Sequence, residues 1–305
     1  MRRTLAALAV VACALLVAAS VPLPVAAHTN HVSADPQRSP DGTVVVEAVF
    51  VASDSFLAVQ RDDGGDPGAV VGHTAVSGGD GFLTDLAVDI DDATWRDWNG
   101  SRTIHLTLRS DDDGAFEPSE DPVVTSFGSP TTETVRVAAA ERAVVTAERF
   151  GPQRLTDGSV TVRRATLPAV GHLVVENASD GRVLGSASLG AGTHRNVSVP
   201  VDAAALDGDT ARLRAVLYRD DGDGTFDGDD APVRAGTERV ATVFAVERSS
   251  SAATDGTATP TPALVTTATP SPTTQPTTTD GQPGFGVLAA LVALAGVFLV
   301  ARGRR

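Results

Sequence analysis

The chain has 305 residues, 42% of them hydrophobic, with 38 acids against 24 basic residues that are all arginine, for a net charge of −14. Such a surface repels nucleic acid and anionic lipid, and a single cysteine rules out an intrachain disulfide framework. Five of the 24 arginines lie in the terminal segments, which leaves 19 against the 38 acids between them, 29 of which are aspartate. An acidic, lysine-free shell of this kind stays soluble at high salt and suggests a halophilic source.

Residues 1–27 read as a secretory signal peptide: Arg2 and Arg3, an apolar stretch from Thr4 to Val21, and the small residues Val25, Ala26 and Ala27. Cleavage is expected between Ala27 and His28. The twin arginines suit Tat export, with Sec as the alternative. A lipoprotein site ending at Cys13 fits less well, because the apolar run continues past it.

Residues 28–139 and 140–248 are two copies of one module. DGTVVVEAVFVASDSFLAVQ from Asp41 repeats as DGSVTVRRATLPAVGHLVVE from Asp157, and LRSDDDGAFEPSEDPVV from Leu108 as YRDDGDGTFDGDDAPVR from Tyr218. The second match, at a constant offset of 110, pairs Arg109 with Arg219 and Phe116 with Phe226. Short β-branched runs alternate with Gly, Asp and Pro clusters. Ile104, Leu106 and Leu108 form a buried face and His105 falls on the wet one; Val197, Val199 and Val201 alternate with Asn196, Ser198 and Pro200. About seven such strands per copy predict an all-β chain with two tandem immunoglobulin-like β-sandwich domains. Single helical turns are expected near Trp95 and Trp98 and near Leu206. The tryptophans are taken as apolar plugs, with a sugar platform as the alternative.

Residues 249–282 are rich in Thr, Ser and Pro, and predict a disordered, O-glycosylated stalk on the order of 100 Å long. Residues 283–305 follow with an uncharged segment from Phe285 to Ala301 and then Arg302, Arg304 and Arg305. This fits a short C-terminal transmembrane helix with the preceding chain outside. Sequons at Asn99, Asn177 and Asn196 are candidate glycan sites.

The acidic stretches resemble an EF-hand loop, which places oxygen ligands at positions 1, 3, 5, 9 and 12 and Gly at 6. With Gly224 at 6, Asp221, Asp223, Asp227 and Asp230 fall on 3, 5, 9 and 12, but Arg219 falls on 1. In the first copy Asp111, Asp113, Gly114, Glu117 and Glu120 fit, and Arg109 takes position 1. The favoured reading is an acidic hairpin tip. A looser calcium site through Asp111, Asp113 and Glu117 or Asp221, Asp223 and Asp227 is the alternative. A copper site at an exposed N-terminal His28, with His31, His73 or His105 as a further ligand, is a third. Metalloprotease, serine-hydrolase and phosphate-loop motifs are missing, so a non-enzymatic role without a cofactor is expected.

PGF at Pro283, Gly284 and Phe285, the apolar span and the arginine cluster together resemble the PGF-type C-terminal sorting signal of haloarchaeal surface proteins, S-layer glycoproteins among them. The resemblance implies cutting near the tripeptide by an archaeosortase and transfer to a membrane lipid at the cell surface. HVSADPQ, DGTVVVEAVFV and RSDDDGAFEPSEDPV, with HLVVENASDGRVLG, GTHRNVSVPV and YRDDGDGTFDGDDAPV, resemble a haloarchaeal surface domain of unknown function. The partners implied are the membrane, the archaeosortase and export machinery, and other envelope proteins or glycans.

Overall fold

In the computed structural model, residues 29–206 and 208–248 are described. The signal peptide with Ala27 and His28, the stalk, and the sorting signal with Pro283, Gly284, Phe285 and the apolar span lie outside them.

The first copy has eight principal strands: β1 (His31–Ser33), β2 (Gln37–Ser39), β3 (Thr43–Phe50), β4 (Ser55–Asp63), β5 (Asp66–Val76), β6 (Phe82–Asp89), β7 (Ser101–Ser110) and β8 (Thr132–Ala139). The second copy repeats them as β9 (Val144–Thr146), β10 (Gln153–Arg154), β11 (Ser159–Leu167), β12 (Gly171–Asn177), β13 (Val183–Leu189), β14 (Gly192–Pro200), β15 (Thr210–Arg219) and β16 (Ala241–Glu247). Each copy folds into a sheet of order 1-3-6 facing one of order 2-8-7-4-5, with the second copy's strands numbered eight higher. Pairing is antiparallel except at the edge, where β2 runs parallel to β8 and β10 parallel to β16. This immunoglobulin-type sandwich follows from period-two alternation. Val44, Val46, Leu57, Val59, Ile104, Leu106 and Leu108 fill one core, and Val160, Val162, Leu173, Val175, Leu213, Ala215 and Leu217 fill the other.

His105 departs from expectation. It lies on the outer face of the larger sheet, yet it is only 2% exposed. Asp62 at 2.9 Å from Nε2 and Thr134 at 3.2 Å from Nδ1 cover it. The tryptophans are plugs: a short helix α1 (Asp92–Arg96) carries Trp95, whose Nε1 donates to the Pro40 oxygen, while Trp98 is 6% exposed within the first core.

The copies are joined without a spacer. Arg38 and Ala143 exchange main-chain hydrogen bonds of 2.9 and 3.2 Å, so β2 of the first sandwich pairs with the entry to the second. Glu47, 1% exposed, accepts from the Ala147 amide, the Thr242 hydroxyl and Arg149 Nε. Arg149 also bonds Asp35 at 2.6 Å. One guanidinium thus serves two carboxylates, Asp35 and Glu47, at a buried boundary. Burial, with the charge of Asp35, pushes Glu47 up to about 8 and Glu133 up to about 7.

Candidate functional site

After β7 and β15 the chain does not form a free hairpin tip. In each copy the acidic segment folds back over the outer face of the larger sheet. Its phenylalanine meets aromatic rings there: Phe116 packs on His73 at 4.1 Å and Phe56 at 5.2 Å, and Phe226 on Tyr218 at 5.1 Å and His172 at 5.8 Å.

Strand pairing corrects the alignment of the two segments. Leu57 faces Leu108 and Leu173 faces Leu217, so β7 and β15 correspond at an offset of 109, and Arg109 corresponds to Tyr218 rather than Arg219. The buried loop carboxylates Asp121 and Asp230 also differ by 109. The stretch from Asp113 and Asp223, which cap the Ala115 and Thr225 amides, through the two phenylalanines keeps the offset of 110, because the second copy has one residue more before it and one fewer after it. Arginine is therefore not held at one position in both copies. Arg109 turns into its loop, its Nη1 donating to the main-chain oxygens of Pro118 and Asp121 at 2.9 and 2.8 Å. Arg219 is exposed.

The second loop converges on His172. This residue sits mid-sheet on β12, opposite Tyr218 on one side and Ser188 on the other, and is 1% exposed. Its Nε2 lies 3.1 Å from Asp220 Oδ1 and 3.6 Å from Asp230 Oδ2, and its Nδ1 lies 3.1 Å from Ser188 Oγ. The Asp220 and Asp230 side chains are 8% and 0% exposed. Loop amides hold both carboxylates: Gly224 and Gly222 donate to Asp220, and Asp221 and Asp227 donate to Asp230. Tyr218 points its hydroxyl away, to Glu176 at 3.0 Å.

The expected calcium ligands are only partly brought together. Asp221 and Asp223 gather with Asp220 on the exposed side of the loop, within 4.8 Å of one another. Asp227 is turned to the Asp229 amide. In the first copy Asp111 caps the Gly114 amide and Asp113 the Ala115 amide, while Glu117 gives its amide to Asp121. None of those three belongs to a ligand cluster among the described residues. An EF-hand register leaves out both His172, which lies on another strand, and Asp220, which falls on its non-ligand second position. The alternation of His172 with Val174 and Glu176, opposite the core residues Leu173 and Val175, would have placed the imidazole on the loop-bearing face.

The other candidate residues scatter. Asn99 and Asn196 are exposed. Asn177 is 6% exposed, and its Oδ1 accepts from the Ser179 amide and hydroxyl, so the folded domain does not present it as a glycan acceptor. Of the histidines considered for copper, His31 packs edge-on to Phe150, His73 stacks on Phe116 and His105 bonds Asp62.

Comparison with known proteins matches a family model, the domain of unknown function DUF7282, at residues 30–138 and again at 147–247. A PGF-CTERM motif matches residues 282–303, which marks an exported protein processed by an archaeosortase and anchored at the cell surface. No curated protein matches the chain. Among solved structures, the native conformation of Escherichia coli alpha-2-macroglobulin aligns with 72% of this chain and 16% of its own length, at 13% identity. The TM-score of that alignment is 0.19.

Proposed function

Because the chain belongs to the DUF7282 family and ends in a PGF-CTERM motif, we propose that it is a non-enzymatic envelope protein of a halophilic archaeon. Its two sandwiches would act as a stiff structural or interaction module held above the membrane on a glycosylated stalk. The observation that supports this most is the junction. The Arg38–Ala143 strand pairing and the buried Arg149–Glu47 contact make the tandem one body, which a pair of independent binding domains would not require. The acidic, lysine-free shell fits a high-salt exterior.

The test is osmotic. Cells lacking the chain should lyse at milder dilution than their parent. The full chain should restore resistance, and a chain with a ten-residue Gly/Ser insertion between Glu141 and Arg142 should not. Equal lysis with and without the chain removes the structural role.

The gathering of Asp220, Asp221 and Asp223 favours one second reading, a calcium-dependent adhesion or ligand-binding module. It requires a rise in melting temperature at millimolar calcium that is lost in Asp221→Asn and Asp223→Asn.

A further inference from the structure

We propose that His172, Asp220 and Asp230 form a binding site for a divalent transition-metal ion of the zinc class, a property that goes beyond the envelope role and rests on the fold alone. The first argument is spacing. A tetrahedral centre with metal–nitrogen and metal–oxygen bonds of zinc length puts its donor atoms about 3.3–3.5 Å apart. His172 Nε2 stands 3.1 Å from Asp220 Oδ1 and 3.6 Å from Asp230 Oδ2, so an ion between them needs little rearrangement. The loop amides that bond these two carboxylates fix their orientation and leave each oxygen a free lone pair. On the far side of the ring, Ser188 Oγ lies 3.1 Å from Nδ1, where it accepts that proton once Nε2 binds the ion. This is the outer partner that metal-bound imidazoles ordinarily have.

The second argument is the other copy, which serves as an internal control. It folds the same loop over the same sheet face and keeps the buried carboxylate Asp121. At the position of His172, however, it has Phe56, and at that of Tyr218 it has Arg109, whose guanidinium reaches into the loop. The loop therefore folds without an imidazole. In the second copy the fixed cation is gone, two buried carboxylates face one ring, and the replacement residue is a metal ligand. A divalent ion supplies the missing charge.

The donor set selects the ion. One nitrogen and two carboxylate oxygens suit zinc, cobalt or nickel, whereas calcium requires six to eight oxygens. Three protein ligands leave a fourth position for water or for a donor from a partner.

The experiment uses the full chain, stripped with a chelator and titrated with Co²⁺ alone and then with Zn²⁺ alone. The wild type should bind one cobalt with a visible ligand-field band that zinc displaces. His172→Phe, which reproduces the first copy, should fold, lose the band and weaken zinc binding by more than about 100-fold. Asp230→Asn should do the same, and Asp223→Asn, on the exposed side of the loop, should change nothing. Zinc held elsewhere survives in every variant. Absence of the band in the wild type, or a band and affinity retained in both His172→Phe and Asp230→Asn, overturns the proposal.

Discussion

Glu47 in β3 and Arg163 in β11 occupy the same position in the two copies, and they meet at the boundary, where Arg163 Nη2 donates to the Glu47 main-chain oxygen at 3.3 Å. At both positions the antiparallel ladder skips a pair: the residues opposite, Asp85 and Asn196, take positive φ values of 55° and 51°. The same local irregularity thus turns an acid in one copy and a base in the other toward the boundary between the copies. Arg163 Nε also approaches Asp85 at 3.7 Å.

The buried contacts beside this pair should make the tandem unfold as one unit. Arg149→Met leaves the Asp35 carboxylate without its cation and Glu47 without a donor, a loss of about 3 kcal/mol. Calorimetry of the wild type should show a single transition, and the variant should show two.

Stability should depend on pH through the same boundary. Glu47 and Glu133 have folded values near 8 and 7 against an ordinary 4.5, because burial favours their protonated forms. Raised values mean that their contribution is fully present below 4.5 and is lost as pH climbs toward 8. The melting temperature at fixed salt should fall by at least about 5 °C between pH 5 and 8.5. Glu47→Gln should flatten most of that slope.

Gly72 and Gly185 should be the least replaceable glycines in their strands. They occupy equivalent positions in β5 and β13, where a Cβ would lie 2.0 Å from the Asp89 oxygen and 1.9 Å from the Pro200 oxygen. Backbone occupies that space because β5 and β13 bond across to the other sheet there, through Asp91 N to Val71 O and Asp202 N to Leu184 O. Alanine at either site should cost about 3 kcal/mol in denaturant unfolding. Gly79→Ala, which meets open space, should cost almost nothing.

Glycan occupancy should follow exposure. Peptide mass spectrometry of the chain from its native host should find modification at Asn99 and Asn196 and an unmodified Asn177.

The alternation of Ile104, Leu106 and Leu108, and the repeat from Asp41 to Asp157, carried the all-β tandem fold in plain view, because period-two burial is a local property. What was not legible is relational. A one-residue shift in the acidic loop is invisible when RSDDDG and RDDGDG align without a gap, yet it exchanges Arg109's counterpart from Arg219 to Tyr218 and changes the chemistry of the site. His172 looked like an ordinary strand residue until the fold laid a loop 48 positions away across it. Glu47, inside TVVVEAVF, is buried by the second domain, and nothing local in that strand announces the cover.

The parallel edge pairs have a mechanical consequence. The chain enters each sandwich through β1 or β9, passes at once into β2 or β10, and leaves at β8 or β16, and β2 and β10 run in the same direction as those last strands. Tension between the outer end and residue 248 therefore pulls the paired strands past one another, so their hydrogen bonds are loaded together in shear instead of being unzipped one at a time. Under such tension the β10–β16 seam, joined over two residue pairs against three between β2 and β8, is the first to yield.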